Sequence, residues 1–202
     1  MDVEKIKEPK GLKTVPTASE GLNPPAVEVY RKDCINIPVL KRLVGQNIIS
    51  SKQFDRELTL ELLKFAAILE DTEVGSHRML DGKIVLTAFF EASTRTRLSF
   101  ESAAMRLDAK VMSIPDGKTT GQAKGESLED IGEMFNAYAD LVVMRHTETD
   151  STKEMEKKLR VPFIYAGNGS GEHPTQALAD WYALLKWKPS LKEKLPEKDR
   201  IH

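Results

Sequence analysis

The sequence predicts an α/β protein with a four-stranded parallel sheet and helices on both faces, a Rossmann-like arrangement of three layers. Two observations support this prediction. From residue 84 onward, short apolar runs alternate with amphipathic stretches of helical period. The apolar runs are continuous, which is typical of parallel strands buried on both faces. In such sheets ligands bind at the carboxyl ends of the strands, so functional residues are expected in the loops that follow them.

The elements can be assigned in chain order. Ser50 or Ser51 caps a first helix, and four apolar residues share one face of it: Leu58, Leu62, Phe65 and Leu69. Strands are predicted over residues 84–90, 110–114, 141–144 and 161–166. Helices are predicted over residues 97–107, 127–138, 151–159 and 175–187. Three of these helices carry apolar residues at core spacing: Phe100, Ala103, Ala104 and Leu107; Leu128, Ile131, Phe135 and Tyr138; Leu178, Trp181 and Leu185.

Composition restricts the class of protein. The 202 residues include 30 Lys and Arg and 31 Asp and Glu, so the chain lacks the basic excess that non-specific nucleic-acid binding requires. The single cysteine, Cys34, rules out a disulfide within the chain and fits a reducing compartment. No apolar run is as long as a membrane span, and the N-terminus lacks the apolar core of a secretory signal. We therefore expect a cytoplasmic protein with no nucleic-acid or membrane partner.

Three regions follow from the pattern. Residues 1–45 are predicted to be a partly flexible N-terminal extension, with a mobile or loosely packed arm over residues 1 to about 25. Residues 26–45 are expected to pack on the domain surface or on a neighbour. Residues 46–202 form the predicted domain. Residues 195–202 resemble a polar linker that leads into a new strand. Either the chain is a fragment or a partner domain lies elsewhere.

Residues 93–97 read Ser-Thr-Arg-Thr-Arg and join the first strand to its helix. The first N–H groups of a helix have no partner within it, and the helix dipole places partial positive charge there. Arginine adds a planar fork that matches phosphate oxygens. A single Ser-Thr pair would indicate only a helix cap, but five such residues in a row favour an anion site. We expect this turn to hold a phosphate group in one orientation.

Two further loops end at the same edge of the sheet. Arg145 directly follows the third strand, where it either meets a ligand or emerges into solvent, and its position at the same edge as Arg95 favours the ligand. His173 starts the last helix after a glycine-rich loop, and Gln176 lies one turn further on. A histidine there can stabilise developing negative charge or transfer a proton, or it can simply cap the helix with an exposed ring.

Residues 115–126 are polar and rich in glycine, and they match neither a Walker loop nor a dinucleotide motif. They form either an ordinary flexible loop or a flap whose Lys118 or Lys124 meets an anion. Glu91 precedes the anion turn, where an inward carboxylate would repel phosphate. We expect Glu91 to pair with a cation instead, and a cation across a domain boundary is one option.

These loops together resemble those of the aspartate carbamoyltransferase family, catalytic chain. The resemblance rests on residues 89–101 (FFEASTRTRLSFE), 143–146 (VMRH) and 172–178 (EHPTQAL). It covers the chain from residue 46 and implies the carbamoyl-phosphate domain of the carbamoyltransferase fold, with the aspartate-binding domain absent from this chain. Glu91 and residues 172–176 favour the aspartate enzyme over the ornithine enzyme, which shares the Ser-Thr-Arg-Thr-Arg motif.

The resemblance implies a role for each site residue. The phosphate would be bound by the residues of the turn: Ser93, Thr94, Arg95 and Thr96. Arg145 would bridge the phosphate and the carbonyl oxygen. Thr96 and His173 would polarise that carbonyl, and Gln176 would take the carbamoyl amino group.

The family also implies shared sites. Thr120 and Lys124 align with flap residues that reach into the site of a neighbouring subunit, so the resemblance implies a homotrimer and leaves a separate regulatory chain open. Thr120 replaces the common serine and keeps the hydroxyl, and Ala123 stands where some members have a second lysine.

The implied reaction is attack of the L-aspartate α-amino group on the carbonyl of carbamoyl phosphate, an early step of pyrimidine synthesis. The residues expected to act in it are Arg95, Thr96, Lys124, Arg145 and His173. No metal or organic cofactor and no covalent intermediate are expected. The alternatives are an ornithine or other amino-acid carbamoyltransferase and a non-catalytic phosphate-binding or assembly module, and this chain by itself is expected to be inactive.

Overall fold

The computed structural model of the protein describes residue 30 and residues 34–71, 78–168 and 171–193. At its centre lie four strands: β1 (Ile84–Phe89), β2 (Lys110–Ile114), β3 (Leu141–Arg145) and β4 (Phe163–Tyr165). Their order across the sheet is β2-β1-β3-β4, and every neighbouring pair is parallel. The predicted fold class is therefore confirmed.

Helices precede the strands and connect them: α1 (Ile37–Leu40), α2 (Arg56–Asp71), α3 (Thr94–Arg106), α4 (Leu128–Phe135), α5 (Ser151–Glu156) and α6 (Pro174–Trp187). Four short 3₁₀ turns lie between these elements and a fifth follows α6: Lys41–Leu43, Ser51–Gln53, Gly117–Thr119, Gly121–Lys124 and Pro189–Lys192. The strand β2 has the predicted bounds. The helix α3 begins earlier than predicted, because the Ser-Thr-Arg motif forms its first turn instead of preceding it. Within the described residues, every helix is too short or too polar to cross a membrane.

The two faces of the sheet are covered by different helices. On one face, Leu86 of β1 and Phe163 of β4 belong to a core with Ile131 of α4. On the other face, Val85 of β1 packs in a separate core with Ala104 of α3. Neighbouring residues of β1 thus point into two cores, which explains why its apolar run is continuous. Burying a side chain such as Phe163 contributes roughly 1.5–3 kcal/mol to stability.

The helices α2 and α6 pack against each other. Leu63 and Ala67 of α2 form a third core with Leu185 of α6. Beside it, the buried ammonium of Lys186 donates to Glu70 Oε1 at 2.7 Å. The pairing explains how a lysine is accommodated at a buried position, since its charge has a partner.

Three residues predicted to face the core are exposed instead: Ala103, Tyr138 (55%) and Trp181 (49%). Tyr138 lies beyond the end of α4, because the helix stops at Phe135 and its period does not continue. In the other two helices, charged side chains with partners take buried positions: Glu101 in α3 and Lys186 in α6. Apolar periodicity cannot reveal such positions.

The described part of residues 1–45 contacts α2. Val39 of α1 is buried, and the backbone N–H of Asn36 donates to Glu61 Oε2 at 2.8 Å. The mobile or loosely packed arm expected over residues 1–25 and the linker expected over residues 195–202 lie outside the described residues. The proposed domain bounds therefore stay a prediction.

Candidate functional site

A cleft of about 1000 Å³ lies at the carboxyl ends of β1, β3 and β4. Because β2 lies on one side of β1 and β3 on the other, the chain reverses its direction across the sheet between β1 and β3. This is the switch point at which ligands bind in open α/β sheets. Seven of the predicted site residues line the cleft: Ser93, Thr94, Arg95, Thr96, Arg145, His173 and Gln176.

Thr120 and Lys124 are not among the residues that line this cleft. They belong to the loop between β2 and α4, where the Thr120 hydroxyl donates to the carbonyl of Gly117 at 2.6 Å and Lys124 is exposed. The cleft also includes Ser99 and Thr175, for which the sequence indicated no role in the site, and Phe100, which was predicted to face the core. Ser99 could have been found from helical spacing, because it lies three residues after Thr96 on the same side of α3.

The start of α3 is open to a bound anion. Ser93 precedes the helix in an extended conformation, and its side chain makes no capping hydrogen bond. The first N–H groups of the helix are thus available to a ligand at the positive end of the dipole. Arg95 is exposed at this turn and, among the described residues, its guanidinium has no hydrogen-bond or ion-pair partner. A free guanidinium beside open N–H groups is suited to bind phosphate.

Arg97, the second arginine of the motif, is anchored to the sheet instead. Its Nη1 donates to Glu101 Oε1 at 3.1 Å, and that oxygen also accepts from Thr87 at 2.9 Å and from Ser113 at 2.6 Å. Burial of Glu101 raises its pKa, but these hydrogen bonds outweigh the effect, so its pKa lies below the ordinary value. The carboxylate therefore fastens α3 to β1 and β2 while Arg95 stays free.

Arg145 is held at the cleft by contacts with the segments that follow β1 and β4. Its Nη1 donates to the carbonyl of Ala166 at 3.0 Å, and its Nη2 donates to Glu91 Oε1 at 3.3 Å. Its Nε lies 3.3 Å from Glu91 Oε2. Glu91 thus pairs with a cation, as expected, and this cation lies in the same sheet and not across a domain boundary. A guanidinium has five N–H groups, so one on each terminal nitrogen of Arg145 stays available to an anion.

His173 caps α6 and keeps a proton donor for a ligand. Its Nδ1 accepts the backbone N–H of Gln176 at 3.3 Å, so the proton of the neutral ring is on Nε2. Burial first, and then the positive charge of Arg145, lower the pKa of His173. Gly167 lies against the ring with a φ of +84°, and a Cβ there would come within 2.8 Å of it. His173 is therefore a neutral imidazole whose Nε2–H can donate to a carbonyl oxygen.

The loop before His173 is fastened by Glu172. Its carboxylate accepts the backbone N–H of Ser51 at 3.0 Å and the hydroxyl of Ser50, and chiefly the Ser50 hydrogen bond lowers its pKa. One turn into α6, Gln176 Nε2 donates to Asp180 at 2.9 Å. That bond leaves the amide oxygen of Gln176 as an acceptor for a ligand N–H.

The lowered pKa values of His173 and His146 predict a loss of stability at mildly acid pH. Burial is the main cause for both rings, which titrate at about 6.5 in an unfolded chain. Below that pH the unfolded state binds protons that the folded state does not. The free energy of unfolding should therefore fall as the pH drops from about 6.5 to 5.

Urea denaturation at a series of pH values measures this slope. His173→Asn keeps a side chain that can cap α6 and removes one titrating group, so its slope should be shallower than that of the wild-type chain. Equal slopes for the two proteins would contradict the assignment of a lowered pKa to His173.

The chain matches a known protein family over most of its length. The family described as aspartate/ornithine carbamoyltransferase, carbamoyl-P binding domain, matches residues 46–186. The chain belongs to this family. The match includes all the loops described above, so the cleft lies within the region that this family covers.

Curated carbamoyltransferases are similar to this chain over the same region. The aspartate carbamoyltransferase catalytic subunit of Dichelobacter nodosus is 44% identical over 144 residues, which are 70% of this chain and 41% of that protein. The chloroplastic aspartate carbamoyltransferase of Arabidopsis thaliana is 41% identical over 148 residues, 72% of this chain and 38% of that protein. The chain thus spans less than half the length of the carbamoyltransferases that it matches.

Solved carbamoyltransferase structures show the same fold. The aspartate transcarbamoylase of Trypanosoma cruzi in complex with carbamoyl phosphate is 36% identical, with a TM-score of 0.64 over 70% of this chain and 46% of that one. The same protein in complex with N-(phosphonacetyl)-L-aspartic acid is 35% identical, with a TM-score of 0.67 over 73% and 46%.

Proposed function

We propose that the cleft binds carbamoyl phosphate and that the protein acts in the transfer of its carbamoyl group to the α-amino group of L-aspartate. The observation that carries this proposal is the convergence of Arg95, Arg145 and His173 on one cleft at the switch point of the sheet. The products would be N-carbamoyl-L-aspartate and phosphate, in pyrimidine biosynthesis. The proposed location is the cytoplasm.

The phosphate would lie at the start of α3. The open N–H groups of the helix supply donors there, and the side chains that would join them are Ser93, Thr94, Arg95 and Thr96. The paired Arg145 would present its two remaining N–H groups to the bridging region between phosphate and carbonyl. Two guanidiniums at this position would offset the charge of a doubly ionised phosphate.

The carbonyl chemistry would depend on hydrogen-bond donors that line the same cleft. As the amine attacks, negative charge develops on the carbonyl oxygen, where the Nε2–H of His173 and the hydroxyl of Thr96 would donate. The oxygen of Gln176 would accept from the carbamoyl amino group, which fixes the orientation of the carbonyl. The attacking amine would lose its proton to the departing phosphate, and the transfer would be direct, with no covalent enzyme intermediate.

Calorimetry and an isotopic assay test the two parts of this proposal separately. Titration of the 202-residue chain with carbamoyl phosphate should show binding at one site per chain. Transfer of labelled carbamoyl groups to L-aspartate and to L-ornithine, assayed with the full-length gene product, would then distinguish the aspartate enzyme from its ornithine alternative. Binding without transfer is the expected result for this chain by itself, because it spans less than half of its relatives. Absence of binding would contradict the proposal.

The loop between β2 and α4 supports a site shared between subunits of a homotrimer. Lys124 is exposed and lies outside its own cleft, so the proposed contact with phosphate would be made in a neighbouring subunit. Lys124→Ala and Arg95→Ala should each weaken binding of carbamoyl phosphate. Mixed oligomers of the two variants should regain tight binding at about one site in four, because a neighbour supplies the missing residue. A separate regulatory chain stays a prediction.

Calorimetry on the mixture, after dissociation and reassembly, measures the regained fraction. Lys118→Ala is the matched control, since Lys118 is an exposed lysine of the same loop. A mixture that binds no better than its two components would show that Lys124 does not act in a neighbouring site.

A further inference from the structure

His146 is buried next to the cleft, and none of the roles above uses it. It directly follows Arg145 and is 2% exposed, and its ring packs at a tilt on Phe90 with the centroids 5.2 Å apart. Its Nδ1 accepts the backbone N–H of Glu148 at 3.0 Å. The proton of the neutral ring is therefore on Nε2, which must find an acceptor in this buried position.

That acceptor is the side chain of Gln122. Nε2 of His146 lies 3.1 Å from the terminal Nε2 of Gln122. A neutral ring cannot accept at both nitrogens, so the glutamine must present its oxygen here, and the oxygen and nitrogen of an amide exchange places by a half-turn of the group. The hydrogen bond thus runs from the ring of His146, directly after β3, to the loop between β2 and α4.

Gln122 lies in the 3₁₀ turn Gly121–Lys124, between Thr120 and Lys124. The other hydrogen bonds that residues 116–126 make in the described structure have both partners inside the loop. Among the described residues, the bond to His146 is therefore the one hydrogen bond that links residues 116–126 to the end of β3.

We propose that His146 and Gln122 form a latch that positions the loop carrying Thr120 and Lys124. Arg145 is the last residue of β3 and lies at the cleft, and the next residue, His146, holds the loop. Two consecutive residues thus position the guanidinium of Arg145 and the loop that carries the ammonium of Lys124. A loop held in place loses less conformational freedom when its lysine meets an anion. The use of the latch in binding rests on the function proposed above, whereas the latch itself can be measured without ligand.

Hydrogen–deuterium exchange of the ligand-free chain tests the latch directly. Gln122→Leu removes the acceptor, so the amides of residues 116–126 should exchange about fivefold faster. Gln122→Glu keeps an acceptor oxygen and should exchange like the wild type. Lys118→Leu, an exposed position of the same loop, is the control and should also be unchanged.

Unchanged exchange in Gln122→Leu would overturn the proposal, and so would a rise in exchange that extends equally to α4 and the sheet. Calorimetry then connects the latch to binding. Gln122→Leu should weaken binding of carbamoyl phosphate severalfold in the wild-type background and have no effect in Lys124→Ala. If the wild-type chain does not bind carbamoyl phosphate, the proposed function fails while the exchange result still decides the latch.

Discussion

Replacing Arg95 with alanine is expected to lower the affinity for carbamoyl phosphate and for inorganic phosphate by about 100- to 1000-fold. The guanidinium has no protein partner among the described residues, so its N–H groups are not engaged until an anion binds. Removing it takes away charge-assisted hydrogen bonds to the anion and breaks no ion pair among the described residues of the protein. Because the free side chain is exposed, the fold should keep its stability, and isothermal titration calorimetry can measure the loss directly.

Arg106→Ala provides the matched control. Arg106 lies in the last turn of α3, so the substitution removes the same charge from the same helix at the opposite end, where the side chain contacts Ser102. It should leave phosphate affinity within about twofold, since exposed charges separated by more than a Debye length are largely screened. Equal losses of phosphate affinity in both variants would indicate a general effect of positive charge. Unchanged affinity in Arg95→Ala would contradict the prediction of an anion site at the start of α3.

The fold class could be predicted because burial on both faces leaves a direct mark on the sequence. The runs that became β1 and β3 are buried at most positions. The edge strand β2 also has the predicted bounds, although its residues are exposed or only partly buried. The buried positions of a helix were harder to predict where a charged residue is buried together with its partner. Lys186 is buried because Glu70, more than a hundred residues earlier, meets its ammonium, and no local period encodes that contact.

The sequence was enough to locate the candidate site, but not to tell which of its charged residues are free and which are paired within the protein. Arg95 and Arg97 are equivalent in the motif, yet one is free and the other is paired with Glu101. A carboxylate four residues after an arginine is a signal that could have separated them. The pairing of Glu91 with Arg145 had no such signal, because it depends on the register that places Phe89 beside Arg145. Whether these residues bind the substrate stays a prediction.

Removing the carboxylate of Glu91 is expected to lower the free energy of unfolding by about 3 kcal/mol. The side chains of Glu91 and Arg145 are only 24% and 12% exposed, so Glu91→Ala leaves a largely desolvated guanidinium without its counter-charge. Phosphate should then stabilise the variant more than it stabilises the wild type, because the anion takes over the role of the lost carboxylate. Urea denaturation with and without phosphate measures both effects, since a ligand of the folded state raises its stability by mass action.

Glu133→Ala separates this effect from the loss of any carboxylate–arginine pair. Glu133 accepts two hydrogen bonds from Arg160, at 2.6 and 2.8 Å, but both side chains are about half exposed or more. Exposed pairs contribute little, so this variant should unfold close to the wild type and gain no extra stability from phosphate. Should phosphate stabilise Glu91→Ala no more than Glu133→Ala, the two remaining N–H groups of Arg145 would not face the bound anion. Arg145 would then be a structural link between β1 and β4 and not a ligand of the phosphate.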